Sequence, residues 1–140
     1  SGADHVIQGR FKMGSQYHFH METQTCIATP IEDGFDLEIA SQDIQACQDT
    51  VAKALKTDQN SINVTVKRLG GAYGGKIALP NHIATVATVA ANKVKRPVRL
   101  WMPLEDNMKM LGKRNPYLFD YKVIRISITK KYLPCLLMCF

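Results

Sequence analysis

The sequence predicts an α+β (mixed α/β) fold, with strands, one hairpin and two to three helices. Three observations predict it. Apolar residues alternate at period two in Phe35-Asp-Leu-Glu-Ile-Ala40, the pattern of a half-buried strand. Ile44, Cys47, Val51, Ala54 and Leu55 recur at helical spacing and give one apolar face. Turn residues then cut the chain into the order β, β-hairpin, α, β, α, β, α, β.

Taken in order, His5 to Met13 reads as a strand through Val6, Ile7 and Phe11. Tyr17-His-Phe-His-Met21 is aromatic and alternating, which as a strand sets His18 and His20 on one side. Cys26–Ile31 and Phe35–Ala40 form a hairpin around Glu32-Asp33-Gly34. Ser41 is the expected N-cap of a helix running to about Thr57. Ile62–Leu69 is a strand, and Pro80 suits the first turn of a helix over about 81–94. Ala84, Ala87, Ala90 and Ala91 let that helix approach a neighbour closely. Arg96–Met102 is a strand with Pro97 near its start, Leu104–Leu111 a short helix ended by Gly112, and Tyr117–Ile126 a last strand.

The chain has 140 residues, 18 basic and 12 acidic, for a net charge of +6. The basic residues are spread from Arg10 to Lys131, and the densest cluster (Lys93, Lys95, Arg96, Arg99) is small. That argues against a nucleic-acid partner. Cys26, Cys47, Cys135 and Cys139 form no CxxC pair and have no histidine at zinc-site spacing. Reduced thiols in the cytoplasm are the expectation. No apolar run approaches the roughly 20 residues that cross a bilayer, so no membrane partner is expected. The chain starts Ser-Gly-Ala-Asp without an initiator methionine or signal peptide, which points to a fragment of something longer.

Arg68-Leu-Gly-Gly-Ala-Tyr-Gly-Gly-Lys76 carries the most information. Glycines there permit positive φ and let main-chain N–H groups approach a ligand. Residues alone leave three readings. Gly70 and Gly75-Lys76 satisfy G-x-x-x-x-G-K, the pattern of a P-loop nucleotide binder, but Ile77 stands where a hydroxyl must reach magnesium. A dinucleotide fingerprint fails because Tyr73 takes the place of its second glycine. A tight structural turn is the third.

The loop also resembles the Arg-x-Gly-Gly-(Gly/Ala)-Phe-Gly-Gly-Lys signature of the molybdenum hydroxylases, aldehyde oxidase and xanthine dehydrogenase. Gly14-Ser-Gln-Tyr-His-Phe-His-Met-Glu-Thr-Gln24 is similar to that family's Gly-x-Gln-x-His-Phe segment. Arg96-Pro-Val-Arg-Leu100, Glu105-Asp-Asn-Met108 and Gly112-Lys-Arg-Asn-Pro116 resemble the stretch that follows the loop. The likeness covers about residues 1–124. It implies part of a larger molybdopterin-binding domain (residues 1–126), followed by a divergent tail, 127–140.

The resemblance implies a molybdenum–molybdopterin cofactor, with 2Fe-2S clusters and FAD only in a full-length, homodimeric parent. Gln16 matches a glutamine that hydrogen-bonds a molybdenum oxygen ligand; a neutral amide donates there without adding charge. Tyr73 matches the loop aromatic, usually Phe, and its N–H and that of Gly74 would donate to the cofactor. Ile77 stands where xanthine dehydrogenases carry a purine-binding glutamate. An apolar residue there implies an aldehyde or N-heterocycle substrate. No side chain of this segment is implied as a direct molybdenum ligand. His18, His20, His82, Glu22, Arg68 and Arg114 are expected in structural or surface roles.

No residue is implied as catalytic, because the family's general-base glutamate lies beyond this segment. The iron–sulfur and flavin regions lie upstream. The expectation is therefore one wall of a hydroxylating oxidoreductase's site, inactive as an isolated piece. The alternative is a non-enzymatic truncated product or dimerisation decoy. The tail ends Pro-Cys-Leu-Leu-Met-Cys-Phe140, which suggests truncated or misjoined translation, with a short membrane-touching tail or a strand packed on this fragment as alternatives.

Overall fold

The computed structural model describes residues 5–125, which fall into two units. The predicted tail, 127–140, lies outside the described residues.

The first unit, residues 5–16 and 115–125, is a two-stranded antiparallel ribbon. β1 (His5–Met13) pairs with β8 (Tyr117–Arg125), from His5↔Arg125 to Met13↔Tyr117. Period two puts Ile7, Phe11 and Met13 on one face with Tyr117, Phe119, Tyr121 and Val123. Phe119 stacks on Tyr117 with ring centroids 5.8 Å apart. The Tyr121 ring lies over Gly9, whose added Cβ would meet Tyr121 Cζ at 2.5 Å. Glycine opposite an aromatic fills its own gap this way. Arg10 and Asp120 form an exposed ion pair at 2.6 Å on the other face, which water screens.

The second unit is Tyr17–Arg114. Its four-stranded sheet has the order β5-β4-β3-β6: β3 (Thr25–Ile31), β4 (Gly34–Ile39), β5 (Ile62–Thr65) and β6 (Val98–Trp101). β3 runs antiparallel to both β4 and β6, and β4 runs parallel to β5. A parallel pair needs a crossover, and α1 (Ile44–Leu55) supplies it. α2 (Leu79–Val94) connects β5 to β6. One face of the sheet contributes Cys26, Ala28, Phe35, Leu37 and Ile39 to the core. Cys47 and Val51 of α1 pack there with Ile83, Ala84, Ala87 and Ala91 of α2. The alanines keep α2 close to the strands, as its composition predicts. α3 (Leu104–Met110) carries Glu105 and Asp106 in its first turn, where acidic groups favour the helix dipole. The two-residue strands β2 (Gln16–Tyr17) and β7 (Lys113–Arg114) stand where the chain passes between units.

The predicted α+β class, hairpin and three helices are all present. Four local expectations change. Asp43, not Ser41, caps α1: its Oδ1 accepts from Ala46 N at 3.0 Å, while Ser41 Oγ accepts from Asp43 N at 3.1 Å. α1 stops at Leu55 because Lys56 turns left-handed, φ 55°. β5 stops at Thr65 rather than Leu69, since its partner β4 ends one residue past the Glu38↔Thr65 pair. Residues 18–21 are not a strand, because Phe19 has φ 43°. His18 and His20 therefore do not share a strand face.

Cys26 and Cys47 are free and buried. Burial pushes the Cys26 thiol up to about 12, with Cys47 nearby adding to it. Burial, with the charge of Asp43, pushes Cys47 up to about 11. Both stay protonated at neutral pH, and the thiolate is the nucleophile. Neither is expected to react with iodoacetamide in the folded chain. Peptide mass mapping after a brief pulse at pH 8 should find both unlabelled, and both labelled in urea.

Candidate functional site: the glycine loop

Residues 68–77 connect β5 to the approach to α2. Their centre, Ala72–Gly75, is a hydrogen-bonded turn, with Gly75 N donating to Ala72 O at 2.7 Å. Tyr73 has φ 53° and Gly74 φ 86°, the signs and sizes of a type I′ turn. Glycine suits this conformation, whereas tyrosine is strained by about 1–2 kcal/mol. Such strain persists only where surrounding contacts impose it.

Those contacts are on three sides. Tyr73 O accepts from His18 Nδ1 at 2.9 Å and from Arg114 Nη1 at 3.3 Å. A carbonyl can only accept, so His18 carries its proton on Nδ1. Gln42 Oε1 accepts from Gly74 N at 3.1 Å and Lys76 N at 3.3 Å, while Gln42 N donates to Lys76 O at 2.7 Å. Below the turn, Gln24 Nε2 donates to Gly75 O at 3.2 Å. Gly75 cannot be larger: an added Cβ would sit 2.9 Å from His18 Cγ and 3.1 Å from Ala72 O. The crest itself is open. Tyr73 is 63% exposed, and its N–H makes no hydrogen bond among the described residues.

An ion pair anchors the loop's two ends. Lys76 is 0% exposed, and its Nζ lies 2.6 Å from Glu22 Oε2. The same carboxylate oxygen accepts from Gly70 N at 2.9 Å, and Glu22 N donates to Gly70 O at 3.1 Å. Burial pushes the Glu22 carboxyl up, but Lys76 and the Gly70 N–H outweigh it and hold it below its ordinary value. His20, buried beside them, donates from Nδ1 to Glu22 O. Burial lowers its pKa against that hydrogen bond, and the Lys76 charge adds to the lowering. His20 Nε2, Gln24 Oε1 and Asn107 Nδ2 are buried without partners among the described residues.

The sign of the His20 effect is definite. Its folded pKa lies below the ordinary 6.5, so the unfolded chain binds more protons between the two values. Stability present above about 6.5 is lost as pH falls toward the folded value. The urea midpoint is expected to drop between pH 7 and 5, and the drop should shrink in His20→Asn.

The lysine settles the nucleotide reading. A P-loop lysine must reach out to phosphates. Lys76 points its ammonium into the protein, onto Glu22, so the loop is not a P-loop.

The molybdopterin cofactor-binding domain model matches residues 1–124. The chain belongs to the molybdopterin cofactor-binding domain family. It is 42% identical over 123 residues to aldehyde oxidase 3 of Mus musculus, covering 86% of this chain and 9% of that protein. Xanthine dehydrogenase/oxidase of Gallus gallus is 40% identical over 123 residues, with the same coverage. The chain thus spans about a tenth of the length of these curated relatives. Its fold is that of quinoline 2-oxidoreductase from Pseudomonas putida 86, with TM-score 0.70 and 21% identity over 87% of this chain and 16% of that one. Aldehyde oxidoreductase from Desulfovibrio gigas gives TM-score 0.65 and 23% identity, over 89% and 14%.

As a member of a molybdopterin cofactor-binding domain family, the chain offers a loop that fits such a group. Among the described residues, Tyr73 N–H is unspent and an added Cβ at Gly74 would meet only His18 Cε1, at 3.7 Å. Main chain is therefore presented without a side-chain barrier. Tyr73, Gly74 and Ile77 share this loop, with Ile77 49% exposed. Gln16 is exposed and belongs to the other unit. Arg68 and His82 are exposed, the latter on α2. Sequence reasoning missed Gln42, whose region carried only a capping signal, and read Arg114 only as a scaffold or surface charge. Glu22 was legible as structural, but its partner Lys76 was not.

Proposed function

We propose that this chain forms one wall of the cofactor site in a molybdenum hydroxylase of aldehydes or N-heterocycles. The Tyr73 N–H, without a hydrogen bond among the described residues, on a strained, side-chain-held turn carries the reading. The molybdenum–molybdopterin group, when bound, supplies the two-electron oxidation, with water as the oxygen source. The chain's own part is electrostatic and steric. Tyr73 N–H is a preorganised donor that needs no reorganisation to meet a developing negative charge. Gly74 keeps the approach open. Gln16, by its match to the family's glutamine, would supply a neutral amide donor.

Ile77 argues for the substrate class. It follows Lys76 directly and leaves an apolar side chain half exposed where the purine-binding carboxylate would stand. A site without that group forgoes the discrimination that a paired polar contact gives a hydroxylated purine. The larger parent would add the general base, the 2Fe-2S and FAD electron path, a homodimer interface and a cytoplasmic setting. No helix among the described residues is long and apolar enough to cross a membrane. This chain alone is expected to bind without turning over.

Two measurements test the reading. Purified chain loaded with molybdenum cofactor is expected to retain metal near one per chain by elemental analysis; none retained at saturating cofactor would overturn it. A mouse aldehyde oxidase 3 carrying residues 1–124 in place of its own segment is expected to oxidise aldehydes. Faster turnover of xanthine would reject the role of Ile77.

A further inference from the structure

The Tyr73–Gly74 peptide group is held at both ends by side chains. Its carbonyl takes His18 Nδ1 at 2.9 Å and Arg114 Nη1 at 3.3 Å, and its N–H is taken by Gln42 Oε1 at 3.1 Å. The three side chains come from separate stretches: the segment before β3, the end of β7, and the link between β4 and α1. Such a group cannot rotate without breaking three hydrogen bonds. The preceding peptide is different. Its carbonyl, on Ala72, closes the turn to Gly75 N, and its N–H, on Tyr73, makes no hydrogen bond among the described residues.

From this we infer that Gln42, His18 and Arg114 are positioning residues that fix the crest so that Tyr73 N–H, and not Gly74 N–H, is the main-chain donor offered to the cofactor. The inference rests on the proposed cofactor role of the loop. It narrows that role from two donors to one and assigns a task to three residues outside the glycine signature. Gln42 matters most, because its oxygen occupies the Gly74 N–H and its backbone N–H ties the same segment to Lys76 O at 2.7 Å. A crest with positive φ at tyrosine relaxes once the clasp is gone, since the strain opposes it.

Amide hydrogen exchange on the full 140-residue chain, followed by NMR, tests the clamp without any cofactor. The Gly74 amide is expected to exchange about tenfold more slowly than that of Tyr73, the effect of one neutral hydrogen bond. In Gln42→Ala that protection should disappear while Gly75 stays protected through Ala72 O. Unchanged Gly74 protection in Gln42→Ala would overturn the inference. Should Gln42→Ala lose protection throughout the second unit, Gln42→Glu decides: it keeps the acceptor oxygen, and loss of Gly74 protection there overturns the inference equally. Molybdenum retention separates the two proposals. Wild-type chain that retains no metal rejects the cofactor role, whatever the exchange result. Wild-type retention with undiminished retention in Gln42→Ala rejects the positioning role alone. The expected result is a loss of about tenfold in cofactor affinity in Gln42→Ala, restored in part by Gln42→Glu.

Discussion

Glu22→Ala is expected to destabilise the second unit by about 3–5 kcal/mol, the usual cost of stranding one partner of a buried ion pair. Lys76 is 0% exposed, and Glu22 is its carboxylate partner at 2.6 Å. Without that partner the ammonium must either lose its proton or drag water into the loop. Glu22 is itself 34% exposed, so the figure belongs to the lysine's stranding and not to the worth of the pair. The same substitution removes the acceptor for Gly70 N. Urea unfolding followed by circular dichroism measures the loss. Lys76→Met combined with Glu22→Gln should recover much of it, because two neutral groups of similar volume replace two charges. A Glu22→Ala chain within about 1 kcal/mol of wild type would show that the pair does not anchor the loop.

Gly34→Ala is the second large effect. Gly34 opens β4, and the backbone of Ser61 presses against it. An added Cβ would lie 2.7 Å from the Ser61 carbonyl carbon and nearer still to its oxygen. Those atoms belong to the turn that feeds β5, so neither can swing away as a side-chain tip can. The Phe35↔Ile62 pair lies one residue on, and Ile62 is fully buried. The substitution is expected to cost about 3 kcal/mol, at the upper end of ordinary overpacking. Gly112→Ala, with open space around its Cβ position, is the control and should change the thermal midpoint little. Equal midpoints for both variants would contradict the packing argument.

The fold was legible where a period was long enough to count. The hairpin and α1 follow from alternation and helical spacing, and α2 from Pro80 and its alanines; β1 keeps its expected bounds, while the ends of α1, α2 and the hairpin strands shift by one or two residues. Those misses have local causes. Ser41 looks like a cap, but Asp43 reaches Ala46 N because the chain makes one further turn before the helix. Tyr17–Met21 alternates like a strand, yet no pattern announces the positive φ at Phe19. The site was half legible. Glycines mark where the chain can turn, and Tyr73 and Gly74 sit at its crest. What holds the crest was not legible, because Gln42, His18 and Arg114 are distant in sequence and individually ordinary. Their roles arise from a geometry that only the folded sheet creates.

The order of events during folding follows from that geometry. β3 pairs with β6 across more than sixty intervening residues, and Gln24 meets Asn107 at a separation of 83. Glu22 meets Lys76 at a separation of 54. Contacts so remote in the chain require costly loop closure before they contribute anything. The hairpin of β3 and β4, closed by two residues, has no such delay. The crest at Tyr73 is therefore among the last features to become rigid, and its contour is finished only once the sheet has closed.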